Sequence, residues 1–225
     1  EIIHSLKTEK NIHLNLFLQS SRDLEIIILV KEPRDFYNFY NNFIEKYGSF
    51  VKRKNISIIT KQYYFGHRYL HGENNSSVIG EKNSIINLDD SGRKMISFII
   101  DNPRISIIEL AKNLRLAPSS VVSRLKKLTA EKIIRGYEIV FDNSLIGYST
   151  YRVELFLSDP SRKEEVITYL SRNKNVIRIN EFIGEMDLDF EVDFKTAQNV
   201  DSFLEKMRVD IPYIIDFDVS SIIKY

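Results

Sequence analysis

Apolar positions between residues 88 and 130 recur at helical spacing, not strand spacing. Leu88, Met95, Ile96, Phe98, Ile99 and Ile100 predict a helix over about Asp89–Asp101. It stops at Asn102-Pro103, because a residue before proline avoids the helical region. Ser106-Ile107-Ile108-Glu109 has the S-x-x-E form of a capping box, in which hydroxyl and carboxylate each satisfy an orphaned backbone N–H. A short second helix therefore starts there and carries Ile107, Leu110, Ala111 and Leu114. Leu116-Ala117-Pro118 supplies a turn, and Pro118 suits the first position of a third helix, where its missing N–H costs nothing. That helix runs to about Ala130, with Val121, Leu125 and Leu128 on one face. Residues Ile133–Phe141 then read as a strand.

Two short helices, a tight turn and a polar second helix are the parts of a helix-turn-helix reader of double-stranded DNA. The N-terminal residues of such a helix meet base edges in the major groove, which assigns Ser119, Ser120, Ser123 and Arg124 to base readout and Lys126 and Lys127 to phosphates. Arg135, on the strand that would form a wing, completes the set. Residues 88–136 hold ten Lys or Arg against five Asp or Glu, a net +5 within a chain of net +1. The excess sits on the reader. The competing reading is a metabolite-sensing or protein-interaction module whose basic helix is merely solvated and binds no DNA.

Beyond Tyr148 the period changes. Tyr151, Val153, Leu155 and Leu157 alternate as a strand, Arg162–Ser171 is amphipathic, and strands follow over Val176–Ile183 and Met186–Phe194. A helix over Ala197–Met207 and a last strand over Ile211–Ile223 complete a βαββαβ pattern.

Taken together, Asn102-Pro103-Arg104-Ile105-Ser106, Glu109-Leu110-Ala111, Pro118-Ser119-Ser120-Val121, Arg124-Leu125 and Ile134-Arg135-Gly136-Tyr137 resemble the winged helix of the Lrp/AsnC (feast/famine) transcription regulators. The resemblance implies a cytoplasmic DNA-binding regulator whose reader is followed by a βαββαβ effector module, the RAM domain, through which such proteins form oligomers. It also implies a small effector, typically an amino acid, near a Gly-x-x-Asp turn. Gly184-Glu185-Met186-Asp187 matches, and makes Gly184, Met186 and Asp187 the candidate effector residues. An ordinary hairpin turn explains Gly184 equally well.

Residues 1–61 match residues 165–225 without a gap at a constant offset of 164. Asp23-Leu24 recurs as Asp187-Leu188, Phe39 as Phe203, and Ser57-Ile58-Ile59 as Ser221-Ile222-Ile223. The alternation of Ile12, Leu14 and Leu16 fits Ile177 and Ile179 better after a one-residue shift, which leaves a bulge open. The expected fold is α+β: a winged helix-turn-helix domain over residues 88–145, with two ferredoxin-like βαββαβ (RAM/ACT-like) modules over 1–68 and 146–225. The first module is expected to lack its initial strand, which would lie upstream of Glu1 in a longer protein, and Tyr69–Asn87 is expected to be a mobile linker. The modules differ in charge: residues 1–87 carry twelve basic and nine acidic side chains, residues 137–225 ten and seventeen. Lys52 and Lys54 stand where Asp216 and Asp218 stand in the last strand of the second copy, which predicts heterotypic pairing of the copies.

The chain offers little to enzymology. It has no cysteine, four histidines and no nucleophile–base pair at a recognisable spacing, so neither an enzyme nor a bound cofactor or metal is expected. His67 and His71 lie four residues apart, yet Gly66 and Gly72 argue for a turn in place of a metal-binding helix. No apolar run reaches membrane-spanning length, and no membrane partner is expected.

Overall fold

A computed structural model describes residues 2, 6, 12–19, 23–72, 76–80, 87–137 and 142–224. Along the chain the elements are β1 (Ile12–Gln19), β2 (Leu24–Ile28), α1 (Pro33–Tyr47), β3 (Ile58–Tyr64), α2 (Arg68–His71), β4 (Ser77–Ile79), α3 (Asp90–Asp101), α4 (Ile107–Leu114), α5 (Pro118–Ala130), β5 (Ser149–Leu157), α6 (Lys163–Ser171), β6 (Val176–Ile183), β7 (Leu188–Phe194), α7 (Ala197–Asp210) and β8 (Ile214–Lys224). They fold as two compact units, Glu1–Gly80 with Asp142–Tyr225, and Glu81–Phe141.

The larger unit is built on one eight-stranded sheet in the order β2-β1-β8-β5-β7-β6-β3-β4, antiparallel throughout. Its middle, β8-β5-β7-β6, has the 4-1-3-2 order of a βαββαβ unit. Alternation fixes one face of that unit: Val153, Leu155, Leu188, Phe190 and Val192 are buried against Val166 and Leu170 of α6 and Val200, Leu204 and Met207 of α7.

The offset found in the sequence reappears in the backbone. β1, β2 and α1 begin 164 residues before β6, β7 and α7, and the helix N-caps Glu32 and Thr196 keep the same spacing. Cross-strand partners agree pair by pair. Ile12↔Ile28, Leu14↔Ile27, Asn15↔Ile26, Leu16↔Glu25 and Phe17↔Leu24 correspond to Val176↔Val192, Arg178↔Glu191, Ile179↔Phe190, Asn180↔Asp189 and Glu181↔Leu188. Both pairings slip by one residue at the same place, between Ile12 and Leu14 and between Val176 and Arg178. The bulge left open by the sequence thus sits in both halves. The sequence also matches Glu1, Ile3, Lys10 and Asn11 to Glu165, Ile167, Lys174 and Asn175, and the first four lie outside the described residues.

The halves join twice, by the same edges. β1 pairs with β8 through Leu18↔Ile222 and Gln19↔Ser221, and β3 pairs with β6 through Ile58↔Ile183 and Ile59↔Phe182. Shifted by 164, these registers agree to within one residue, so β1 meets β8 as β6 meets β3. Gly184 sits at this junction, where a Cβ would stand 2.9 Å from the Cα of Ser57. Within the expected linker Tyr69–Asn87 the described residues hold the end of α2 and all of β4, which extends the sheet along β3 with backbone bonds that need no hydrophobic period. One expectation is corrected here. The segment Val51–Ser57, which carries Lys52 and Lys54, is not strand.

The face of β5 and β7 turned away from the helices is polar and buried. Arg152 is 3% exposed and forms ion pairs with Asp189 on β7 at 2.5 Å, with Glu154 at 3.8 Å and with Glu25 on β2. Glu25 reaches Arg152 although β2 lies three strands from β5 in sheet order. Further along the same face, Asp193 accepts hydrogen bonds from Thr150 (2.6 Å), Tyr69 (2.6 Å) and Asn143 (3.0 Å). Burial pushes the Asp193 carboxyl above its usual range despite these donors, and burial together with Asp193 pushes the Tyr69 hydroxyl up as well. Removing one partner of a buried ionic cluster strands the others, so Arg152→Ala should lower the unfolding free energy by about 3 kcal/mol. Urea denaturation followed by circular dichroism measures this, and a loss under about 1 kcal/mol would mean the cluster is solvated or dispensable.

Candidate DNA-binding surface

The smaller unit is a three-helix cluster whose boundaries follow the capping residues. Asp89 caps α3 and accepts from the Gly92 N–H at 2.7 Å, and the Ser106 hydroxyl caps α4 and accepts from the Glu109 N–H at 3.1 Å. Arg115 takes the left-handed conformation (φ 53°) that ends α4, and Pro118 opens α5 two residues after Leu116. Met95, Ile99, Leu110, Ala111, Val121 and Leu128 form the core, with Leu125 packed at its margin. Val121 and Leu128 are therefore the anchors that fix which side of α5 faces outward.

Outward are Ser119, Ser120, Ser123, Lys126 and Lys127, all exposed. α5 has no acidic residue in its first turn and Ala117 offers no side-chain cap, so the positive end of the helix dipole is open to an anion. Lys127 lies 3.8 Å from Glu131 in a solvated i,i+4 pair. Arg124 is placed differently from the sequence expectation. Its Nη1 donates to both carboxylate oxygens of Asp89, at 2.8 and 3.0 Å, which ties α5 to the start of α3. The Arg124 guanidinium and the Gly92 N–H hold the Asp89 carboxyl below the usual carboxylate range.

The expected wing strand is corrected in its first part. Lys132 has a positive φ of 56°, and the N–H groups of Ile133 and Ile134 both donate to the Leu128 carbonyl, so these residues close α5 and pack on the core. Residues 133–137 form bends and irregular structure, and residues 138–141 lie outside those described. Arg135 is exposed, with its Nε donating to the Lys132 carbonyl at 3.3 Å. The sequence reading passed over Val122, 38% exposed between the serines of α5, and Arg115 in the turn before it. Val122 is an apolar side chain on an otherwise polar face, which suits a thymine methyl.

Residues 88–135 match the model of winged helix-turn-helix DNA-binding domains. This unit is a winged helix-turn-helix DNA-binding domain. The chain is 25% identical over 120 residues to an uncharacterized HTH-type transcriptional regulator of Pyrococcus furiosus, a match that covers 53% of this chain and 81% of that protein. Among solved structures it is similar to the leucine response regulatory protein LrpA of Mycobacterium tuberculosis (TM-score 0.55, 22% identity, covering 61% of this chain and 94% of that one). It is also similar to a transcriptional regulator of Neisseria meningitidis in complex with L-Met (TM-score 0.55, 19% identity, covering 61% and 91%). The chain is a DNA-binding transcription regulator with the Lrp/AsnC fold. These proteins are matched over most of their own length yet account for about half to three fifths of the regulator, so it carries substantial chain beyond them.

At the Gly184 turn of the regulator, Met186 is buried and Asp187 is engaged. The Asp187 carboxylate accepts from the Leu157 N–H at 2.9 Å and faces Lys163 Nζ at 3.5 Å. Among the described residues no group of three His, Asp or Glu is placed to hold a metal, and no helix is long and apolar enough to cross a membrane. His67 instead lies 3.6 Å from Asp193.

The ion pair at Asp89 gives a test of the reader. Asp89→Asn keeps an acceptor for Gly92 but releases Arg124, and should raise affinity for a DNA duplex and steepen its salt dependence by about one unit in the logarithmic slope. Unchanged slope in a fluorescence-anisotropy titration would show that Arg124 stays off the phosphates. Because the Asp89 pKa is depressed in the folded state, the stability it contributes is present above its ordinary value of 3.8 and lost as pH falls through the folded value. The Asn variant should lack that acid-side loss.

Proposed function

We propose that the protein is a sequence-specific transcriptional regulator of the Lrp/AsnC type, with its reader over residues 88–145 held between two diverged RAM-like modules, 1–68 and 146–225, that pair with each other. The observation that carries DNA reading is the outward face of α5, where Ser119, Ser120, Ser123, Lys126 and Lys127 are exposed above a buried Val121 and Leu128. Ser119, Ser120 and Ser123 read base edges, and Lys126, Lys127 and Arg135 bind phosphates. Arg124 joins the phosphate contacts when Asp89 releases it. The shared offset of cross-strand partners and bulges supports the duplication, and the reciprocal edges β1·β8 and β3·β6 support heterotypic pairing of the modules. Such a protein works in the cytoplasm.

The effector is an amino acid bound at the turn of Gly184, Met186 and Asp187. Support comes from the Gly-x-x-Asp match and from the neisserial regulator of the same fold in complex with L-Met. An ammonium group reaching Asp187 has to displace Lys163, so the site exchanges one cation for another.

Lys126→Ala and Lys127→Ala should each weaken duplex binding for all sequences and reduce the salt slope by about one. Ser120→Ala should instead relax preference at one base position in a selected-oligonucleotide experiment. A chain that shows no salt-dependent duplex binding would overturn the reading. For the effector, L-methionine or another amino acid should raise the melting temperature, and Asp187→Asn should abolish the rise; no shift with any of the twenty amino acids would remove the effector from the proposal.

A further inference from the structure

In the second half of the larger unit, β5 is the strand that completes the sheet. It pairs with β7 from Ser149↔Phe194 to Leu155↔Leu188, and with β8 from Tyr151↔Ser221 to Leu157↔Ile214. The first half has no such strand among its described residues. Among the described residues β2, the counterpart of β7, is the end strand and pairs with β1 alone. Val51–Ser57, the counterparts of residues 215–221 in β8, form no strand.

Burial tells the same story. Residues Leu24–Ile28 are all half-buried, whereas their counterparts Leu188–Val192 are all buried. On α1, Phe36, Tyr40 and Phe43 are half-buried, while the equivalent Val200, Leu204 and Met207 on α7 are at most 2% exposed. The first half is short of one covering strand.

The charges say what kind of strand. Arg152 of β5 bridges Asp189 of its own half and Glu25 of the other, and these two acids are counterparts at the 164-residue offset. With Glu154, three carboxylates share that one guanidinium on a buried face. The two-fold correspondence aims the Arg152 counterpart of an added strand at the same pair of acids. In the second half Glu154 stands opposite Asp218, whereas the first half presents Lys54 there, beside Lys52 and Arg53. A strand with a central arginine followed two residues later by an acid therefore meets opposite charges at both positions.

We propose that the outer edge of β2 and the backbone of Val51–Ser57 form an acceptor slot for one extended segment of about seven residues, alternating apolar and polar, with a buried-facing arginine at its centre. The inference rests on the reading of the two halves as copies. The probe is a fluorescein-labelled nine-residue peptide with the sequence of residues 149–157, titrated with the full chain by fluorescence polarisation. Saturable binding of one peptide per chain is expected. Replacing the peptide's arginine by alanine should weaken it about tenfold or more, and Glu25→Gln in the chain should shrink that arginine effect. Equal binding of a scrambled peptide, no saturation, or self-association of the chain in place of peptide binding would overturn the slot. The reading of the copies is tested separately, by disulfide formation in the pairs Gln19→Cys with Ser221→Cys and Ile58→Cys with Ile183→Cys. If both pairs cross-link and the peptide does not bind, the slot alone fails.

Discussion

An open sheet must dispose of its edges, and that requirement organises the larger unit. A four-stranded β8-β5-β7-β6 unit ends in two rows of unpaired N–H and C=O groups, each an invitation to pair with another chain. Here β1 pairs with the end of β8, Ser221–Lys224, and β3 pairs along β6, so these stretches of the two edges are satisfied from within one polypeptide. The polar face of β5 and β7 is tolerable because its charges are paired, Arg152 with Asp189, Glu154 and Glu25, and its carboxylate Asp193 is hydrogen-bonded. Gly184 follows from the same junction, since the chain at Ser57 approaches too closely for any side chain there.

The two units handle charge in opposite ways. In the sheet unit, Arg152 and Asp193 are withdrawn from water and held by several partners each, which makes them costly to disturb and insensitive to salt. In the smaller unit, Lys126, Lys127 and Arg135 lie at the surface, where attraction to any anion is strong only while competing ions are scarce. Arg124 stands between these regimes. Its bond to Asp89 is solvated, so it packs the helices without locking the guanidinium away.

Much of this was legible in the sequence. Helix limits in the reader were readable because Ser106 and Pro118 are capping chemistry and Pro103 stops a helix, each local to the residues it acts on. The 164-residue offset was readable because it preserves both period and length. What escaped depends on distant partners. Whether Val51–Ser57 forms a strand is decided by a neighbouring strand, not by its own side chains, and β4 is three residues long with no period to detect. Ile133 and Ile134 have strand-forming side chains, but the carbonyl of Leu128 and the core of the reader claim them first. Gly184 and Asp187 have motif spacing, yet only geometry shows how much of their chemistry the fold already uses.

The smaller unit, which carries the helices of the reader, spans Glu81–Phe141, and the chain on both of its sides belongs to the larger unit. It is thus an insertion with two covalent tethers where an end-on domain has one. A protease that cuts either tether leaves the reader still attached through the other, and release requires two cuts. For the same reason a chain that terminates before the smaller unit also lacks β5 to β8, half of the eight-stranded sheet.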